Sequence, residues 1–239
     1  MRKGRLSRWT LCAAIFAPWM ACAQAHPPPE RMVELRLHLV SSRPGNHRAV
    51  PAVLWLEPLA GTPALPFLPH GHYTLLQKNR TFLPHLQVIP AGSVVQFPNA
   101  DPFFHNVFSL FDGKRFDLGL YEAGSSKSVT FSRAGVSYIF CNIHPEMSAV
   151  VLTLSTPLYA IADAKDSFVL RDIPPGDYEL HVWIEGVPQS TLASLNRRVH
   201  QPARMLDLGE LKAPLVPIKT IPHSNMYGEA YDRDSTKTY

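Results

Sequence analysis

Along most of this chain, apolar and polar residues alternate in short runs, the period of a β-strand with one face buried. Met32-Val33-Glu34-Leu35-Arg36-Leu37-His38-Leu39 alternates cleanly, and Ala52-Val53-Leu54-Trp55-Leu56 reads as a buried strand. Leu86-Gln87-Val88-Ile89 leads through a Pro-Ala-Gly turn into Val94-Val95-Gln96-Phe97. The runs at 128–131 and 136–140 flank Arg133-Ala134-Gly135, which predicts a hairpin. Residues 149–154 resume as a strand, and residues 191–199 are the best helical candidate. Short strands at regular spacing, punctuated by Pro and Gly, predict an all-β chain with a Greek-key β-sandwich.

A boundary falls near Thr156-Pro157. Beyond it, residues 167–170, the Ile173-Pro174-Pro175-Gly176 turn and residues 178–184 predict a second, smaller β-sandwich unit over 156–215, closed by residues 205–208. The first sandwich is assigned 26–155 with the N-terminal strands of residues 32–56, which either complete it or form a separate lobe. From 216 to 239 the chain is polar and patternless, which predicts a mobile tail.

The first 25 residues are set apart from both. Arg2, Lys3, Arg5 and Arg8 precede a short apolar run, and Ala23-Gln24-Ala25 is a small-x-small cleavage site, so a secretory signal peptide is predicted over 1–25. That run is too short to span a bilayer, which takes about 20 apolar residues. Removing the leader takes four of the 23 Lys+Arg and leaves 19 against 19 Asp+Glu. No basic patch interleaved with aromatics remains, so no nucleic-acid partner is expected. The mature chain is expected to be exported to the periplasm, with no membrane span.

Export sharpens the meaning of Cys141, which is left as the one cysteine of the mature chain. A chain with one cysteine cannot be stapled internally, and an exposed thiol there is open to oxidation. Either Cys141 is inert in a core, or a metal holds its thiolate. The following residues favour the metal: Cys141-Asn142-Ile143-His144-Pro145-Glu146-Met147 offers thiolate, imidazole and thioether at intervals of three, on a loop between two strands. His105, 36 residues upstream (141 − 105), supplies a second imidazole from a different loop. Two His, one Cys and a Met are the donor set of a blue-copper electron-transfer site, with a long axial bond to the Met sulfur. Taken singly, Met147 also reads as core packing and His105, among phenylalanines, as a core histidine.

The Cys-x-x-His-x-x-Met loop with the upstream His105-Asn106 pair resembles the cupredoxins, the small blue copper proteins, and the loop length is similar to the amicyanin kind. The likeness covers about 75–155. Over the longer span to Gly186, the chain resembles exported bacterial plastocyanin-like or methylamine-utilisation proteins, in which a cupredoxin precedes a transthyretin-like or carboxypeptidase-regulatory-like unit. The resemblance implies His105 and His144 as imidazole ligands of one type 1 copper ion, Cys141 as the thiolate and Met147 as the axial thioether. It implies that Asn106 pins the two loops together, with its backbone N–H near the Cys141 sulfur. It further implies electron exchange with a redox partner, such as a c-type cytochrome or a periplasmic dehydrogenase, across an apolar collar of Phe103, Phe104 and Pro145. The insert Asp101-Pro102-Phe103-Phe104 departs from the shortest loops of that family.

Two other functions compete with the one-electron carrier. A copper carrier or storage protein usually shows Met- or His-rich clusters, and of six Met here two lie in the leader. A non-redox β interaction module would leave the motif idle. An enzyme using Cys141 as nucleophile lacks an oxyanion-donor motif, and none is expected. His70 and His72 read as loop residues and His85 as a core residue or one supporting the ligands. His26 is the expected mature N-terminus, and His181, His200 and His223 read as surface or core.

Overall fold

The computed structural model describes residues 33–41, 50–69, 72–110, 113–202 and 204–213, with Asn225, Tyr227 and Glu229. The leader predicted over 1–25 and nearly all of the tail predicted over 216–239 lie outside the described residues, as do His26, His70 and His223. Strands dominate. β1 (Leu35–Ser41) and β2 (Ala52–Pro58) come first. The short β3 (Tyr73–Thr74), β4 (Leu76–Lys78) and β5 (Thr81–Leu83) precede β6 (Leu86–Pro90) and β7 (Ser93–Pro98). Next come β8 (His105–Ser109), β9 (Phe116–Tyr121), β10 (Ser126–Phe131), β11 (Gly135–Phe140) and β12 (Ser148–Leu154). β13 (Tyr159–Ile161), β14 (Ser167–Leu170) and β15 (Gly176–Ile184) lead to helix α1 (Gln189–Leu195), then β16 (Arg197–Gln201) and β17 (Leu206–Ala213).

An all-β sandwich occupies residues 73–154. A sheet ordered β6-β12-β11-β8-β9 packs over one ordered β10-β7-β3. Val95, Phe97, Val129 and Phe131 meet Ile89, Val107, Ile139 and Val151 in the core between them. Alternation explains these positions: on β7 and β10 the intervening Val94, Gln96 and Thr130 are not buried. β12 is different, because both of its faces are covered. Ala149 and Val151 enter this core, while Val150, Leu152 and Leu154 enter a second one with Leu54, Leu56, Tyr178 and Leu180. A strand covered on both sides loses its polar positions, which is why its sequence is almost continuously apolar.

The second core is enclosed by sheets ordered β14-β1-β17 and β13-β2-β15-β16. β1 buries Leu35, Leu37 and Leu39 and exposes Arg36 and His38. It runs parallel to β17, with Leu35 beside Leu206, and β2 runs antiparallel to β15. From sequence these two strands could either complete the 26–155 sandwich or form a separate lobe; their hydrogen bonds run to strands beyond residue 156. Alternation identifies which face of a strand is buried but not which strand it pairs with.

Two local expectations also change. The hairpin across Arg133-Ala134-Gly135 does not form: β10 pairs with β7, and β11 pairs with β12. The turn instead carries the chain from one layer to the other, with Gly135 at φ 147°, a region glycine enters readily. The helix begins at Gln189, after Pro188, and ends at Leu195, because Arg197 already pairs with Leu180 on β15. Among the described residues no helix is long and apolar enough to cross a membrane.

Candidate metal centre

β11 and β8 deliver the two halves of the site. β11 places Ile139 in the sandwich core, and two residues later Cys141 follows the same inward parity with no exposed surface. His105 heads β8, two residues before the buried Val107, and is likewise fully buried. The loop after Cys141 is closed by main-chain bonds. The N–H of Met147 donates to the His144 carbonyl at 3.0 Å, and the N–H of Cys141 donates to the Met147 carbonyl at 3.3 Å. That turn brings His144 back over Cys141 and folds Met147, fully buried, into the core beside them.

The donor atoms of His105, Cys141 and His144 converge. The two Nδ1 atoms are 3.1 Å apart, and the Cys141 sulfur lies 3.7 Å from Nδ1 of His105 and 3.5 Å from Nδ1 of His144. A circle through three points with these separations has a radius of about 2 Å, close to the 2.0–2.3 Å at which zinc is held by imidazole nitrogen and thiolate sulfur. One thiolate and two imidazoles are borderline-to-soft donors that suit copper among the first-row metals. By geometry and chemistry, the residues present fit such an ion.

The surroundings set the protonation states. Burial pushes the His105 pKa below its ordinary value, against the opposing pull of Asp101, and burial together with the nearby His105 does the same to His144. Both rings are therefore neutral at neutral pH, as ligation requires. Burial pushes the Cys141 thiol up, and hydrogen bonds from the backbone N–H groups of Asn106, Ile143 and His144 only partly counter it. His105 donates its Nε2–H to Asp101 Oδ2 at 2.8 Å, so its Nδ1 turns a lone pair toward His144 and Cys141.

Asn106 is bound on both sides. Its backbone N–H reaches the Cys141 sulfur, while its side-chain amide donates to Asp117 Oδ1 at 2.7 Å on the neighbouring β9. The tie between the two loops is thus a main-chain one. Phe103 packs against both imidazoles, with centroids 5.2 Å from His105 and 5.6 Å from His144. Phe104, 47 % exposed, faces outward, and the His144 residue retains partial exposure. His85 lies elsewhere: its ring contacts the Ser148 carbonyl at 3.1 Å and Glu185 at 2.6 Å. His181 stacks on Trp55, and His200 pairs with Asp177.

Sequence reasoning missed Asp101, noted there only as part of a loop insert. A carboxylate four residues before a ligand-type histidine was the available signal. Asn99 shapes that insert, accepting from the Asp101 N–H at 3.0 Å and donating to the Phe103 carbonyl at 2.8 Å.

No protein-family profile and no curated protein matches the chain. Among solved structures, it is similar to the copper-containing nitrite reductase from Thermus scotoductus SA-01, at 26 % identity over 41 % of this chain and 25 % of that one, with a TM-score of 0.33. The chain thus spans about a quarter of that reductase. It is similar to a purple cupredoxin from Nitrosopumilus maritimus, at 23 % identity over 36 % of this chain and 100 % of that one, TM-score 0.32. It is also similar to amicyanin from Paracoccus versutus, at 24 % identity over 36 % of this chain and 85 % of that one, TM-score 0.33.

Proposed function

We propose that the chain is an exported type 1 copper protein that carries single electrons, in which His105, Cys141 and His144 would hold the ion through imidazole and thiolate donors and Met147 would add a weaker thioether. The convergence of two Nδ1 atoms and one sulfur within 3.7 Å carries this reading. When bound, copper supplies a Cu(I)/Cu(II) couple. Everything else is the work of the protein. Two loops on a stiff sandwich hold the donor atoms in place before an ion arrives, so little rearrangement accompanies a change of charge. The buried Cys141 and His105 keep water from that side, while His144 and the exposed Phe104 face the surface where a partner docks.

Such a surface suits a small, transient contact with a redox protein, a c-type cytochrome or a periplasmic dehydrogenase. The experiment is a visible spectrum: Cu(II) added to the purified protein is expected to give an intense blue or green colour from thiolate-to-copper charge transfer. A colourless complex, or no binding, overturns the reading.

A further inference from the structure

Asp101 is almost completely buried, at 5 % side-chain exposure, and every one of its hydrogen bonds can be traced. Oδ1 accepts from the backbone N–H of Asn79 at 2.6 Å, and Oδ2 accepts from that of Arg80 at 3.0 Å and from His105 Nε2–H at 2.8 Å. Asn79 and Arg80 are the two-residue turn between β4 and β5, whose flanking Lys78 and Thr81 pair. Both have left-handed backbones, φ 55° and 53°, as a type I′ hairpin turn requires. Successive N–H groups in such a turn point into one concave space and bind an anion there. The hairpin tip is therefore a clamp for a carboxylate, and among the described residues the one side chain this carboxylate engages is the imidazole of His105.

We infer that Asp101, clamped by the Asn79–Arg80 turn, is a positioning residue of the metal centre that fixes the His105 tautomer and biases the bound ion toward its higher charge. The inference rests on the copper reading above. Two consequences follow from one hydrogen bond. The acceptor at Nε2 forces the proton of His105 to that nitrogen, leaving Nδ1 as a ligand aimed at Cys141 and His144. The buried negative charge also lies one imidazole away from the site, in a setting that screens it little. A fixed anion there favours a doubly charged ion over a singly charged one, so its removal weakens Cu(II) binding more than Cu(I) binding. Removing the hydrogen-bond partner of a ligating histidine typically costs about 10–100-fold in metal affinity.

The test has a metal-free arm and a copper arm. In the metal-free wild-type protein, long-range ¹H–¹⁵N correlation of the His105 ring is expected to show the proton on Nε2; a proton on Nδ1 overturns the positioning role. In Asp101→Asn, Cu(II) affinity is expected to fall about 10–100-fold and Cu(I) affinity by a smaller factor. Each tenfold gap between the two raises the one-electron midpoint potential by about 59 mV. Asp101→Glu, which keeps the charge, should keep the ratio near the wild-type value. Equal losses for both oxidation states, with an unchanged potential, overturn the charge bias and leave Asp101 a purely structural group. Should Asp101→Asn not fold, the wild-type tautomer and the Asp101→Glu potential still decide. A wild-type protein that takes up no copper defeats the electron-carrier reading, and the metal-free measurement then decides the positioning role alone.

Discussion

The indole N–H of Trp183 donates to the hydroxyl of Tyr138 at 3.3 Å, joining β15 to β11, the strand that ends at Phe140, one residue before Cys141. Nearby, Glu185 bonds His85, whose other ring nitrogen meets the Ser148 carbonyl just after Met147. The strands on both sides of the ligand loop are thus held from the face that the sandwich core does not cover. Trp183, 1 % exposed, also belongs to the second core. Trp183→Phe is expected to lose about 0.5–1.5 kcal/mol, the net worth of one hydrogen bond. Trp183→Ala is expected to lose about 3–5 kcal/mol through a cavity. Urea unfolding followed by circular dichroism measures both, and an Ala variant as stable as the Phe variant contradicts the packing role.

Ligand substitutions separate thiolate from thioether. Cys141→Ser is expected to abolish the visible colour, because the hydroxyl gives no comparable charge-transfer band. Met147→Leu is expected to retain copper and raise the potential, since loss of a sulfur donor disfavours the oxidised ion. Colour retained in Cys141→Ser refutes the ligand assignment.

Copper uptake is expected to be pH-linked through one group. Burial holds the Cys141 pKa above its ordinary value, so the metal-free thiol is protonated at neutral pH, while His105 and His144, shifted down, are already neutral. Binding must displace one proton, and affinity should rise about tenfold per pH unit until the thiol's own pKa is passed. Competition titrations between pH 7 and 8 read the slope; a flat profile means that the sulfur is not a ligand or is already ionised.

The hairpin tip is sensitive to side-chain branching. Asn79→Val places a β-branched residue at φ 55° and is expected to cost about 1–3 kcal/mol. Arg80→Gly suits the same backbone but removes the guanidinium that lies 5.3 Å from the Phe103 ring centroid, so its cost should be smaller. Thermal melts of the two variants rank them, and a larger loss for Arg80→Gly reverses this account of the turn.

Much of this was legible in the residues. The strand positions follow from period-two alternation, as at Leu35, Leu37 and Leu39, and the proximity of His105, Cys141 and His144 from donor types at usable spacing. Pairing was not legible, because the alternation of β1 and β2 is satisfied equally by any apolar sheet nearby. The Arg133-Ala134-Gly135 turn misled for a related reason: it can close a hairpin or arch between layers, and only the partner sheets decide. Asp101 was harder to read because its anchor is a hairpin tip some twenty residues earlier, where Asn79 and Arg80 hold it through backbone N–H groups that no side-chain pattern marks.

The parallel pairing of β1 with β17 sets an order of events during synthesis. Leu35 leaves the ribosome long before Leu206, its neighbour in the finished sheet, so the earliest strand waits while the whole central sandwich is made. With strands before and after it locked into common sheets, that sandwich is tethered at both of its ends and cannot swing on a single linker. The face that carries His144 is therefore braced from both flanks by the first and last of the described strands together.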